Sequence, residues 1–283
     1  MARGAVCLTF DFDALSSWVA RGMTTATPRS RGEFAAVAVP RLLSILDRRG
    51  LPSTWFVPGH TARTYPELCR AIVAAGHEMA LHGYAHENVA VLSREVEKDV
   101  LDRSYEAVTE VTGTPPRGFR APAWDLSDNS VELLIDRGLA YDSSLMGHDY
   151  LPYYCRVGDR VDELGTEWGR DTTLVEIPVS WTLDDFPYLE FLRTPAAVLP
   201  GLRDPAEMFA NWSLDLRYML DELDDTAPGV LTVTMHPEVI GRGHRLVRLA
   251  EWLDTIMAED VEFVTAETVA DRFRRGADPG SRH

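Results

Sequence analysis

The chain holds 283 residues, with 44 Asp and Glu against 28 Lys and Arg and a formal net charge of −16. That balance argues against nucleic acid or an anionic membrane as partner, and it favours a neutral or cationic substrate over a strongly anionic polymer. Apolar residues make up 45% and charged residues 25%, which excludes wholesale disorder and leaves two small domains or one large α/β barrel.

In chain order, strand-like apolar runs alternate with helix-like stretches. A strand over 5–13 is followed by a helix over 34–49, a strand over 53–58, a helix over 66–75 and a strand over 78–82. Next come a helix over 94–111, a strand over 118–120, a helix over 129–137 and a strand over 140–144. The remainder reads as a strand over 174–181, a helix over 206–223, a strand over 230–236, a helix over 244–257 and a strand over 262–265. In the helix over 94–111, Val96, Val100, Ala107, Val108 and Val111 form one apolar stripe, suited to packing on a sheet. The helix over 129–137 takes Ser127 or Asp128 as its N-cap and stops at Gly138, a left-handed C-terminal position.

About seven or eight strands, most of them followed by a helix or long loop, predict α/β architecture and a single distorted (β/α) barrel rather than two domains. No Pro- or Ser-rich linker divides the chain, so one domain is expected over 1–273, with a disordered tail over 274–283. Two irregular segments, 146–171 and 187–205, are candidates for covering the barrel mouth. Cys7, Cys69 and Cys155 are widely spaced with no CxxC pair, which favours buried free thiols in a reducing compartment over disulfides or a thiolate metal site. No apolar run nears membrane-spanning length, and a first strand entered by residue 5 leaves no room for a signal peptide. A cytoplasmic protein is expected.

The notable polar residues collect where predicted strands end. Asp11 and Asp13 close the first strand, His82 the third, Arg120 the fourth, Asp142 the fifth and His236 the penultimate one. In a (β/α) barrel those ends share one rim, where active sites lie. Alternation along 5–13 sets Cys7, Thr9, Asp11 and Asp13 on one side. His82 and His86 fall one turn apart if the loop after the strand coils. Three of these four acids and imidazoles suffice for a divalent metal while the remaining Asp takes protons; zinc suits the set, with cobalt, ferrous iron or nickel as alternatives. Such a metal polarises a carbonyl and activates water, a carboxylate beside it serves as general base, and a His across the site protonates a leaving amine. Arg120 near the base would hold it ionised.

The segments Thr9-Phe-Asp-Phe-Asp-Ala14, His82-Gly-Tyr-Ala-His86, Arg120-Ala-Pro-Ala-Trp124, Tyr141-Asp-Ser-Ser144 and Thr234-Met-His-Pro237 occur in that order. Together they resemble the motifs of the polysaccharide deacetylase family, the NodB-homology or carbohydrate esterase 4 group, over roughly residues 5–270. The resemblance implies a distorted barrel and metal-dependent hydrolysis of an amide, usually an N-acetyl group on a sugar. It implies Asp11 as the catalytic base, Asp13, His82 and His86 as metal ligands, and Arg120 as the tether of the base. His236 matches the general acid. For the aspartate that orients that acid Asp142 is the nearest match, with Asp184 or Asp185 as alternatives. Trp124, Tyr84 and Asp185 are assigned to substrate binding.

Some positions depart from the family pattern. Phe12 separates the two aspartates, Ala14 stands where a glycine is usual, and Gly83 replaces a Ser or Thr. With Gly241-Arg-Gly-His-Arg245 behind His236, these features resemble an intracellular subgroup that includes allantoinase- and imidase-like members, some of them homo-oligomers. A cyclic amide hydrolase is therefore the alternative reading within enzymes, and an inactive metabolite- or carbohydrate-binding barrel the alternative of another class. His77 is expected to pack or hydrogen-bond rather than ligate, and His60, His148 and His244 carry no usable pattern.

Overall fold

A computed structural model describes residues 2–194, 197–223 and 229–276. Its strands are β1 (Gly4–Asp11), β2 (Thr54–Val57), β3 (Glu78–Leu81), β4 (Gly118–Phe119), β5 (Tyr141–Asp142), β6 (Tyr153–Val157), β7 (Arg160–Asp162), β8 (Gly165–Glu167), β9 (Arg170–Glu176), β10 (Leu192–Arg193), β11 (Val198–Leu199), β12 (Val230–Met235) and β13 (Val261–Phe263). Nine of them form one sheet in the order β12-β1-β2-β3-β4-β5-β9-β6, with β13 also paired to β1. Neighbours run parallel except β6 on β9, which is antiparallel. All eight strands expected from the sequence lie in this sheet.

Both faces of the sheet are covered, which explains why every residue of β1 is buried. Val6, Leu8, Phe10 and Phe12 join Leu231, Val233 and Met235 in the larger core, packed with the helices. The alternate residues Cys7, Phe56, Ala80, Tyr141, Val175 and Val230 meet in a second cluster inside the curl. The curl is an open-sided barrel. Its ladder does not close; the chain leaving β9 crosses the gap, and Asp184 makes an isolated parallel bridge to Thr234 of β12.

The helix Ala266–Gly276 seals the end of the curl where the parallel strands begin. The backbone N–H of Ala266 donates to Thr54 Oγ1 and that of Glu267 to Glu78 Oε2, while Phe273 packs edge-on against Tyr154. Arg274 donates to the carbonyls of Ala140 and Thr173, so residues 274–276 continue this helix rather than starting a tail; 277–283 lie outside the described residues. Cys7, Cys69 and Cys155 are buried free thiols. Among the described residues, no helix is long and apolar enough to cross a membrane.

Other expectations shift in detail. The helix expected from residue 129 runs Ser130–Arg137 and ends on Gly138 at φ +83°. Ser127 does not cap it directly, although its Oγ accepts from the Asn129 N–H. The 146–171 segment contains three strands. Because Val157 pairs with Arg170 at the start of β9, the β7–β8 hairpin projects from the end opposite the strand C-termini and does not cover the mouth. The segment after residue 187 holds the short β10–β11 pair.

One close approach fixes the sheet at β4. A Cβ on Gly118 would lie 1.9 Å from Tyr141 Cζ, and the Tyr141 hydroxyl is held at 2.6 Å from Glu78 Oε1. Gly118→Ala is therefore expected to cost about 1–3 kcal/mol of stability, read as a lower urea midpoint at unchanged m-value.

Candidate active site

The strand ends carry the polar residues to one rim. β1 stops at Asp11; Phe12 turns away to pack on Trp55 and Tyr65, and Asp13 points back to the rim. The large apolar residue between the two acids is thus a core residue. Ala14, His86, Ala123 and Trp124 all have positive φ, between 50° and 62°, and Leu202 is the only other non-glycine residue so placed among the described residues. Left-handed backbone costs a β-carbon-bearing residue about 1–2 kcal/mol, and it concentrates where geometry is dictated by function. Gly83, at φ +66°, takes the same conformation without that cost. His82 and His86 are therefore brought together by a left-handed turn rather than by a coil of helix, with ring centroids 5.2 Å apart.

Asp13, His82 and His86 converge. Asp13 Oδ2 lies 3.1 Å from His86 Nε2, and Asp13 Oδ1 lies 3.4 Å from His82 Nε2. His82 Nδ1–H donates to the Arg120 carbonyl at 2.8 Å, which leaves its Nε2 lone pair facing the acids. Burial pushes the His82 imidazole down, against the pull of Asp11 and Asp13. Burial alone would raise the Asp13 carboxyl, but His86, His82 and His236 together hold it well below the usual carboxylate range. Asp13 Oδ1 is buried without a hydrogen-bond partner. One carboxylate oxygen of Asp13 and one nitrogen of each imidazole, within 4.8 Å of one another, form a donor set that fits a divalent cation such as zinc.

Asp11 stands beside this group, with Oδ2 3.8 Å from His82 Nε2. Its Oδ1 accepts from Arg120 Nη1 at 2.8 Å. Arg120 is fully buried, and its remaining donors reach Thr9 Oγ1, Thr234 Oγ1, Ser143 Oγ and the Ser143 carbonyl. Every N–H direction of the fork that the structure pairs is therefore fixed by a strand end.

Across the rim, Nδ1–H of His236 donates to Asp185 Oδ1 at 2.8 Å, and its backbone N–H donates to the same carboxylate. Asp184 Oδ1 lies 3.5 Å from the same ring nitrogen. Burial would lower the His236 imidazole, but Asp184 and Asp185 raise it well above its ordinary value. Burial also pushes Asp184 up to about 7. Asp185, not Asp142, is the carboxylate brought to His236. Asp142 accepts instead from Ser144 Oγ, on the flank beside Arg120.

Trp124 stacks on Trp181 with ring centroids 4.4 Å apart, making an aromatic wall in which Trp181 is partly exposed. Tyr84 is not brought to the group: its ring packs against Gly59 and lies 3.9 Å under the Arg103 guanidinium, on the side of the helix Arg94–Thr112. His77 hydrogen-bonds with Ser53. Trp181 and Glu238 lie outside the motifs legible in the sequence. Glu238, in the turn right after His236, is buried with Oε2 unpartnered, and burial followed by Asp13 pushes its carboxyl up to about 8. Its position two residues past His236 was the available signal.

Comparisons with known proteins bear on the family and the fold. A family model described as polysaccharide deacetylase matches residues 2–141. The chain is 37% identical over 278 residues to a peptidoglycan deacetylase of Helicobacter pylori, covering 93% of this chain and 94% of that one. It is 33% identical to a peptidoglycan deacetylase-like protein of Gibberella zeae, covering 96% and 86%. A solved Mycobacterium smegmatis structure described as a polysaccharide deacetylase superposes with a TM-score of 0.86 at 35% identity, over 100% of this chain and 94% of that one. The PuuE allantoinase, at 20% identity and a TM-score of 0.78 over 97% and 91%, shares the fold. The chain belongs to the polysaccharide deacetylase family of amide-hydrolysing enzymes.

Proposed function

We propose that this enzyme is a metal-dependent hydrolase that removes the acetyl group from an N-acetylated sugar. The observation that carries the reading is the Asp13–His82–His86 donor set, flanked on one side by Asp11 on Arg120 and on the other by His236 on Asp185. Asp13, His82 and His86 would hold the cation, which supplies Lewis acidity toward an amide carbonyl and makes water more acidic. Asp11, paired with the Arg120 guanidinium, accepts the proton of the attacking water. His236, whose imidazole Asp184 and Asp185 raise well above its ordinary value, delivers a proton to the departing nitrogen. The Trp124–Trp181 stack offers a flat face on which a sugar ring can lie. Names of the Helicobacter and Gibberella relatives support a peptidoglycan-type sugar. The unbridged thiols fit a reducing, cytoplasmic compartment.

The test is acetate release from N-acetylglucosamine oligomers by zinc- or cobalt-reconstituted protein. Acetate is expected; its absence from fully metal-loaded protein would discard the sugar and move cyclic imides and ureides to the front. The pH profile gives a second check. A His236 proton held by carboxylates is lost only as pH rises through the raised value, so the alkaline limb of kcat/KM lies high. Asp185→Asn removes one of those charges and is expected to move that limb to lower pH. An unmoved limb would assign it to another group.

A further inference from the structure

Glu176 ends β9 one strand over from Asp142, and neither carboxyl takes part in the chemistry above. Both are fully buried. Glu176 Oε1 accepts from the backbone N–H groups of Ser144 and Leu145, each at 2.9 Å. Asp142 Oδ1 accepts from Ser144 Oγ at 2.9 Å, and the same hydroxyl oxygen accepts from the Ala121 N–H at 2.8 Å. The two carboxyls thus grip Ser144 from both its backbone and its side chain, and through it the residue that follows Arg120.

The grip continues to the reacting end. Ser143, held between them, donates through Oγ to the Ile177 carbonyl and accepts from Arg120 Nη2 at 2.9 Å. Its carbonyl accepts from Arg120 Nε at 2.9 Å. The third nitrogen of that fork, Nη1, is the one on Asp11. A planar guanidinium fixed at two of its nitrogens has no freedom left at the third.

We infer that Glu176 and Asp142 are positioning residues for the reaction, a carboxyl pair that sets the Ser143–Ser144 segment so that Arg120 aims at Asp11. Two acids side by side in the interior must share a proton, and burial pushes Asp142 up to about 6 and Glu176 well above the usual carboxylate range. That proton also gives a partner to Asp142 Oδ2, which otherwise has none. The inference gives the Tyr141-Asp-Ser-Ser144 motif a task on the base side of the site, opposite the acid side to which the family resemblance assigns it.

The inference rests on the reading of Asp11 as proton acceptor, and the test separates the two. Crystal structures of wild type and Glu176→Ala report where Arg120 points whether or not acetate is released. Arg120 displaced from Asp11 in Glu176→Ala is expected; the contact retained at its wild-type length overturns the inference. Kinetically, Glu176→Ala is expected to lower kcat on the order of 10- to 100-fold with KM little changed. Glu176→Gln, which keeps the Oε1 acceptor and donates an amide N–H to Asp142, is expected to restore it. Combined with Arg120→Lys, which removes the fork, the Glu176→Ala loss is expected to shrink; losses that simply multiply would show that the pair does not act through Arg120. If Glu176→Ala does not fold, Ser143→Ala leaves the carboxyl pair intact and removes one of the two bonds by which the segment holds Arg120, that of Nη2 to Oγ. Arg120 unmoved and kcat unchanged in that variant would equally overturn the inference.

Discussion

Asp11→Asn is expected to lower kcat by about 10²- to 10⁴-fold, the range that a positioned general base supplies. The change is nearly isosteric, and the Asn carbonyl oxygen can still accept from Arg120 Nη1, which lies 2.8 Å from Oδ1. What it removes is the ability to take a proton. Asp13, His82 and His86 are untouched, so metal content measured by elemental analysis is expected to equal that of wild type. Retained turnover at full metal loading would dismiss Asp11 as the base. Loss of metal together with activity would instead place Asp11 among the ligands.

Arg120→Met is expected to show the largest effect on stability. The side chain is fully buried, and its guanidinium lies 4.0 Å from the Phe56 ring centroid, inside the curl. Removing it leaves the Asp11 carboxylate buried without its cation, and it strips partners from Thr9, Thr234 and Ser143. Stranding one member of a buried ion pair typically costs about 3–5 kcal/mol. The cost is read as a fall in the urea midpoint, with loss of activity in the fraction that remains folded. Arg120→Lys keeps a cation but not the planar fork, and is expected to recover part of the stability and little of the turnover.

The site was legible in the sequence where strands made it so. Asp11, His82, Arg120 and His236 each follow a short, apolar, buried run, and parallel strands deliver such residues to a common end. The orienting acid was harder to place because Asp184 and Asp185 follow the 3-10 turn Trp181–Leu183, where no alternation marks direction. Asp142 looked equivalent because it does end a strand, but one whose end faces Glu176 and Ser144 rather than His236. Tyr84 lies inside the right motif and still points away, since the left-handed turn at Gly83 and His86 determines which side chains face inward. Strands β7 and β8 escaped notice because all six of their residues are exposed, leaving no apolar face to read.

The pairing of β1 has a consequence for how the molecule comes together. Along Ala5–Phe10 it lies against β12, at its start it also meets β13, and at its end it takes β2. Of the strands of this sheet the first to be made is therefore completed by two of the last, and Asp11 meets the His236 side of the rim only once more than 200 residues of intervening chain have been made. Contacts so distant in sequence are slow to form, and an apolar strand awaiting its neighbours is open to the wrong ones. The reactive centre cannot exist on a partly made chain; assembly of the active site and completion of the fold are one event.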